Sequence, residues 1–227
     1  MAEQKGERSR AAQYVLRLGQ VHHETGDYEH AVSSYERARE MAKAISDHRT
    51  TFACMSCIGA VHVDRGELAE AFEVLGRARV GLLSSGGSED VVSCLLHLAE
   101  AHLLRDQDAA ARDLCEEAVL EAERAGMALL VAHARIVRGA ARVRLGDRGP
   151  GLADLEAGLA AARVAEANRL VLTGLVYLAE ALITTGEQGR GIQALDEARR
   201  RAEQTGYRRY AHRVANVRDR LMITAPN

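Results

Sequence analysis

The sequence predicts an all-α protein: a right-handed α-solenoid of about five helix-turn-helix hairpins followed by a C-terminal capping helix. The main support is a repeat, because the segment Leu18–Ala38 recurs at intervals of 40 residues along the chain. The apolar residues within the copies follow the period of a helix rather than that of a strand. A fixed self-similarity of this length is typical of stacked architectures, in which each unit buries a face against the next.

A turn residue marks each copy. In the first copy, LGQVHHETGDYEHAVSSYERA, this residue is Gly26, and the later copies follow without insertion or deletion. The corresponding residues, each 40 further along, are Gly66, Asp106, Gly146 and Gly186. Glycine ends a helix readily because it adopts the left-handed conformation of a C-terminal cap.

Two helices are predicted in the first copy, at residues 10–25 and 28–45, and the pair recurs every 40 residues. Val15, Leu18 and Val21 lie on one face of the first helix, and Tyr35 belongs to the apolar stripe of the second. A column of small residues in the second helices allows the two helices of a hairpin to approach closely. Its members are Ala31, Ala71, Ala111, Gly151 and Gly191.

We expect a single domain spanning residues 1–227, with frayed tails before Arg8 and after Thr224. The repeats are placed at about 11–48, 49–88, 89–126, 127–167 and 168–206, and the capping helix at about 207–222.

The composition of the chain limits the partners and the cellular location that we expect. The 30 basic and 32 acidic residues nearly balance, which argues against nucleic acid as a partner of this domain alone. No apolar run approaches the ~20 residues that cross a bilayer, and the N-terminus lacks the apolar core of a secretory signal. All cysteines fall within helical patterns, as in a reduced protein. We therefore expect a cytoplasmic protein without membrane contact.

Neither a metal site nor a catalytic site is predicted. His22, His62 and His102 share one repeat position, but equivalent residues of stacked helices lie ~10 Å apart. A shared zinc ion needs its ligands within ~2.1 Å, so these histidines are interpreted as packing residues. Cys54 and Cys57 have no second ligand pair at matching spacing. Phosphate loops, nucleophile elbows and HExxH motifs are missing, so we expect no enzyme, no metal and no cofactor.

The motif L-G-x-V-H-x-x-x-G-D-Y-x-x-A-x-x-x-Y-x-x-A in Leu18–Ala38 resembles a tetratricopeptide repeat, and the resemblance covers roughly Ala11 to Gly206. The period of 40 exceeds the usual 34 residues. Such repeats resemble those in the C-terminal regions of bacterial transcriptional regulators, including actinomycete antibiotic-pathway regulators and the maltose-regulator type. Quorum-peptide-sensing regulators of Firmicutes carry similar repeats. The resemblance implies a protein- or peptide-binding module that serves as the sensor or assembly region of a regulatory protein.

By this resemblance, the first helix of each hairpin lines a concave surface. Two columns that fall there are apolar in most copies, which predicts an apolar groove for a partner segment. The alternative is a tight curvature that buries both columns. Tetratricopeptide proteins that bind chaperone tails line this surface with Lys, Asn and Arg. Those residues are missing here, so we do not predict chaperone-tail binding. The predicted groove residues are Leu16, Gln20, His23, Ser56, Ala60, Val63, Leu96, Glu100, Leu103, Ile136, Val143, Val176, Glu180 and Ile183.

The fourth repeat departs from the others because Arg135, Arg138 and Arg142 share one helix face. Unpaired burial of these side chains would be prohibitive. Either the helix is rotated so that Ile136, Ala140 and Val143 form the core stripe, or the arginines pair with nearby carboxylates, or they bind an anionic ligand. The candidate carboxylates are Glu117, Glu121, Asp154 and Glu156.

Two rival functions follow from these features. The chain could be a regulatory receptor that binds a small molecule or peptide at the arginine face. Alternatively, it could be a scaffold that self-associates through the groove or an end of the stack, as a homo-oligomer.

Overall fold

The protein is described by a computed structural model that covers residues 2–221, with side chains described from Gly6 onward. Within this range it contains eleven helices and no strand, which confirms the predicted all-α fold. The helices are α1 (Ala2–Glu24), α2 (Tyr28–Lys43), α3 (His48–Arg65), α4 (Leu68–Ser85), α5 (Ser88–Leu104), α6 (Asp108–Arg124), α7 (Ala128–Arg144), α8 (Arg148–Val164), α9 (Asn168–Thr184), α10 (Gln188–Thr205) and α11 (Arg208–Arg220).

The helix bounds follow the 40-residue period and agree with the predicted pairs to within a few residues. The segment before Arg8, expected to be a frayed tail, belongs to α1, which begins at Ala2. This segment is rich in Ala, Glu, Gln and Lys, whose helix propensity is high even without an apolar stripe. The predicted C-terminal tail and the last residue of the predicted capping helix, Met222, lie outside the described residues.

The turn between the two helices of a hairpin has the same backbone geometry in different copies. Gly66 caps α3 in the left-handed conformation with a φ of 75°. Asp106 takes the same region with a φ of 55°, which a non-glycine residue adopts less readily. A side chain caps α3, the helix that begins the second hairpin: the Asp47 carboxylate accepts a hydrogen bond of 3.0 Å from the backbone N–H of Thr50.

Small residues set the distance between the two helices of a hairpin. A Cβ atom added to Gly151 of α8 would lie 2.9 Å from the carbonyl oxygen of Gly139 in α7. Ala31 and Ala71 occupy the same column in α2 and α4 and are fully buried. The predicted role of this small column is therefore confirmed.

The helices form two compact units. One comprises the residues up to His23 together with Asp27–Leu130, and the other comprises Glu24–Gly26 together with the residues from Val131 onward. In the first unit, α2 covers α3, since Ala31 and Tyr35 form one buried cluster with Ile58 and Val61.

In the second unit, α11 packs on α9 and α10, as a capping helix should. Its Tyr210 is fully buried, and the Tyr210 hydroxyl lies 3.0 Å from that of Thr173. No helix within residues 2–221 has both the length and the apolar character needed to cross a membrane. The single-domain expectation stays a prediction.

Candidate partner-binding surfaces

The predicted groove residues are mostly not accessible to a partner. Leu96 and Leu103 of α5 are fully buried, whereas Gln20 of α1 is the one exposed member of the predicted set. Leu16, Glu180 and Ile183 are partly exposed. The expectation of an exposed apolar trough is therefore wrong. Helix α3 packs on α5 in the first unit and α9 packs on α11 in the second, and both apolar columns are largely buried in each unit. The other members, all buried, are His23, Ser56, Ala60, Val63, Glu100, Ile136, Val143 and Val176.

Polar side chains on these helices link one repeat to the next in the first unit. His23 Nε2 of α1 lies 2.7 Å from the Asp64 carboxylate of α3, and both side chains are almost completely buried. The Ser56 hydroxyl of α3 lies 3.0 Å from His97 Nδ1 of α5. A buried polar group needs such a partner. Two of the predicted groove residues, His23 and Ser56, thus stabilise the stack.

In the second unit, ion pairs link one repeat to the next. Arg144 of α7 donates a hydrogen bond of 2.8 Å to the Glu180 carboxylate of α9, and Arg220 of α11 contacts the same carboxylate. Glu180 is therefore shared by two guanidinium groups that come from neighbouring repeats. Its predicted contact with a partner segment stays a prediction.

Two members of the arginine face of the fourth repeat are paired within the hairpin, and the third, Arg135, is half-buried. Arg138 and Arg142 of α7 both donate hydrogen bonds of 2.8 Å to Asp154 of α8. Ile136 and Val143 are buried as well, so the apolar stripe and the ion pairs coexist on one helix. Of the four candidate carboxylates, Asp154 is the observed partner of Arg138 and Arg142, while Glu117 and Glu156 pair with other arginines.

The shared histidine position forms hydrogen bonds as well as packing contacts: the His102 ring, for example, lies 4.7 Å from the Phe72 ring, centroid to centroid. His62 Nδ1 donates a hydrogen bond of 2.6 Å to Glu67, five residues ahead across the turn. His102 Nδ1 donates in the same way to Gln107 at 2.7 Å. These histidines join the end of one helix to the start of the next. Among the described residues, no group of three or more His, Cys, Asp or Glu side chains is arranged to hold a metal ion.

The cysteines act as small apolar residues. Cys54 and Cys94 are fully buried, and burial raises the pKa of the Cys94 thiol to about 11. Burial likewise raises the pKa of the Cys54 thiol well above its ordinary value. A thiol with so high a pKa is a poor nucleophile and a poor metal ligand at neutral pH.

Three large apolar side chains form an exposed stripe on α1. It consists of Tyr14, Leu18 and Val21, whose exposed fractions are 71%, 50% and 59%. Their i, i+4, i+7 spacing places them on one face, opposite the buried Ala12 and Gly19. We call these three residues the α1 stripe. Exposed apolar patches on otherwise polar surfaces mark interaction sites.

The α1 stripe was missed at the sequence level, although a signal was present. Val15, Leu18 and Val21 were interpreted as one buried face because they follow the helical period. The residues 40 positions after Leu18 and Val21 are Ile58 and Val61, which are buried beneath α2. In the first copy, the same positions are exposed.

A cleft of about 580 Å³ lies between α2, α3 and α4, with Phe52, Met55 and Ile58 among its apolar lining. Its rim carries basic residues, but these already contact carboxylates. Lys43 lies 2.9 Å from Glu40, for example. The cleft therefore offers apolar surface without an uncompensated charge.

Comparisons with known proteins agree with this architecture. Residues 8–81, which include most of the first two hairpins, match the family model described as tetratricopeptide repeat. A Rap protein complexed with competence and sporulation factor is 13% identical, with a TM-score of 0.74. The alignment covers 93% of this chain but only 59% of that protein. A search of curated proteins finds no significant match.

Two further solved structures share the fold. Aspartyl phosphate phosphatase F from Bacillus subtilis is 12% identical, with a TM-score of 0.65 and coverage of 96% of this chain and 61% of that one. BtubC from P. vanneervenii is 16% identical, with a TM-score of 0.57 and coverage of 100% and 94%. At such identities the likeness concerns the fold. Residues 8–81 thus match the tetratricopeptide repeat model, and the chain shares the helical-hairpin fold of tetratricopeptide-like solenoids.

Proposed function

We propose that the chain is a protein- or peptide-binding module without catalytic activity, serving as the sensor or assembly region of a bacterial regulatory protein. The observation that carries this proposal is the α1 stripe, which places three large apolar side chains in solvent on one helix face. A protein that only needed to fold would not maintain such a surface, because exposed apolar area costs solubility.

The structural relatives are consistent with this function. One Rap protein of the same fold is complexed with competence and sporulation factor. Another relative is named a phosphatase, but this chain spans only 61% of its length, and we do not transfer that activity.

The rival functions receive less support. A receptor site at Arg138 and Arg142 would have to compete with Asp154, which already accepts hydrogen bonds from both. Binding along the first helices would have to use Gln20 and the partly exposed Leu16, Glu180 and Ile183. Asp substitutions at Leu96 and Leu103 would test folding rather than binding, because both side chains are fully buried.

The function can be tested by selection from an unbiased peptide library against the immobilised chain. We expect enriched peptides with dissociation constants in the micromolar range, on the order of 8 kcal/mol of binding free energy. Leu18→Asp/Val21→Asp tests the α1 stripe, and Gln20→Arg tests the exposed groove residue of α1. Loss of binding in one of the two variants identifies the surface used. If no peptide is enriched beyond a helical control protein of similar charge, the proposed function is wrong. Turnover of a substrate by the purified chain would contradict it equally.

A further inference from the structure

The α1 stripe occupies repeat positions that are interior positions elsewhere in the protein. The residues 40, 80 and 160 positions after Leu18 are Ile58, Leu98 and Leu178, whose exposed fractions are 6%, 7% and 8%. Leu18 itself is 50% exposed. Helix α1 therefore exposes to solvent a face whose counterpart is buried in the first helices of later hairpins.

The interface between α2 and α3 shows what such a face accommodates. There, Ala31 and Tyr35 of helix α2 form a buried cluster with Ile58 and Val61 of α3. The element that covers α3 is thus an amphipathic helix, α2, in which the small residue Ala31 lies one turn before the large residue Tyr35. Because α1 carries equivalent residues at the same spacing, a helix is the element that continues this interface onto α1.

Two features distinguish the α1 face from its counterparts. Tyr14 is larger than its counterparts Cys54 and Cys94, so a covering helix needs a small residue opposite the ring. One edge of the stripe carries Arg10 and Arg17, which are exposed and form no ion pair with any described residue. They are seven residues apart, about 10.5 Å along the helix axis.

We propose that the α1 stripe, with Arg10 and Arg17 at its edge, docks an acidic amphipathic helix of a partner protein. The partner helix presents small and aliphatic residues to Tyr14, Leu18 and Val21, and two acidic residues seven positions apart to the arginines. This inference rests on the proposed binding function and specifies its site and the chemistry of its partner.

A second copy of the chain fits this face less well. A two-fold pair of α1 helices centred between Tyr14 and Leu18 would bring Arg17 next to Arg17 of the second copy. Like charges at that distance repel, and specificity often depends on such repulsion. An acidic helix instead neutralises both arginines.

The test uses two synthetic probes. Each is a lactam-stapled 18-residue helix with alanine and leucine on one face; one probe has glutamate along both edges of that face, and the other has lysine. Binding is measured by fluorescence anisotropy to the full chain, to Leu18→Asp/Val21→Asp and to Arg10→Glu/Arg17→Glu. The matched control is Val80→Asp/Leu83→Asp, which changes two exposed apolar residues of α4. Circular dichroism and the thermal midpoint verify that each variant is folded.

We expect the full chain and the control to bind the acidic probe about 10-fold or more tightly than the lysine probe. The stripe variant should lose both probes, and Arg10→Glu/Arg17→Glu should prefer the lysine probe. Equal binding to all variants, an unchanged preference after charge reversal, or sedimentation showing a dimer that dissociates in the stripe variant would each overturn the inference. Peptides recovered from the library that bind elsewhere would overturn only this inference, whereas an empty library would overturn the proposed function.

Discussion

Arg138 donates two parallel hydrogen bonds of 2.8 Å, from Nε and Nη2, to the two carboxylate oxygens of Asp154. Arg142 donates a third to the same carboxylate. The side chains are 15%, 24% and 13% exposed for Arg138, Arg142 and Asp154. A single carboxylate on α8 therefore permits two arginines to replace the apolar and histidine residues that earlier copies carry on this helix face.

Replacing Asp154 should destabilise the protein strongly. Asp154→Ala leaves two mostly buried guanidinium groups without this partner, and removing one member of such a cluster costs about 2–4 kcal/mol. The free energy of unfolding in urea measures the effect. Arg190→Ala, which removes a solvent-exposed ion pair with Glu156, serves as the control and should leave the free energy of unfolding unchanged. Equal losses in the two variants would contradict the importance of the buried cluster.

A methyl group at the crossing of α7 and α8 should also be costly. A Cβ atom at Gly139 would lie 2.6 Å from the carbonyl oxygen of Gly151, and backbone atoms cannot move aside cheaply. We expect Gly139→Ala to lower the free energy of unfolding by about 1–3 kcal/mol. Gly76→Ala, within α4, meets no atom within 4 Å and should instead stabilise by about 0.5–1 kcal/mol. Thermal unfolding of both variants checks the opposite signs.

The cap of α3 predicts a specific dependence on pH. Burial alone would raise the pKa of Asp47, but hydrogen bonds from the Thr50 N–H, the Thr50 hydroxyl and the Ser9 hydroxyl outweigh it and lower the pKa below its ordinary value. The lowered folded-state pKa means that Asp47 contributes its full stability above the unfolded-state pKa of ~3.9. That contribution is lost as the pH falls through the lower folded-state pKa.

The experiment for this cap compares Asp47→Asn with the unaltered chain. Asparagine keeps an N-cap oxygen but cannot titrate, whereas Asp47→Ala removes the cap and should cost about 1 kcal/mol at pH 7. Any advantage of the unaltered chain over Asp47→Asn at pH 7 should shrink as the pH is lowered towards 2. A difference in the free energy of unfolding that is constant with pH would show that Asp47 is not the titrating group.

The periodic features of the fold were predictable because they depend on local sequence. The spacing from Gly26 to Gly66 predicts the turns, and the small residue at Gly151 predicts a close helix crossing, which the structure contains. Helix α1 extends to Ala2, and the apolar pattern on which the prediction relied contains no signal for this extension.

The binding surfaces were harder to predict because exposure is not a local property. Leu96 and Leu18 both belong to apolar helical patterns, yet Leu96 is buried and Leu18 is exposed. The difference depends on which helices pack against each position. The sequence of one helix alone does not show which other helices will pack against it. The choice of Asp154 among four carboxylates likewise depends on the spacing between two packed helices.

One position of the repeat can be compared in three copies that differ in burial. Leu18, Ile58 and Leu98 are equivalent by sequence, but Leu18 is 50% exposed whereas the other two are almost completely buried. Truncation of a buried aliphatic side chain to alanine costs about 2–5 kcal/mol, because transfer and cavity terms add. We therefore expect Ile58→Ala and Leu98→Ala to lower the free energy of unfolding by about 2–4 kcal/mol, and Leu18→Ala by at most about 0.5 kcal/mol. Urea unfolding of the three variants provides the measurement. A loss for Leu18→Ala as large as that for Ile58→Ala would mean that α1 is covered in solution, which would remove the basis for a docking surface on this helix.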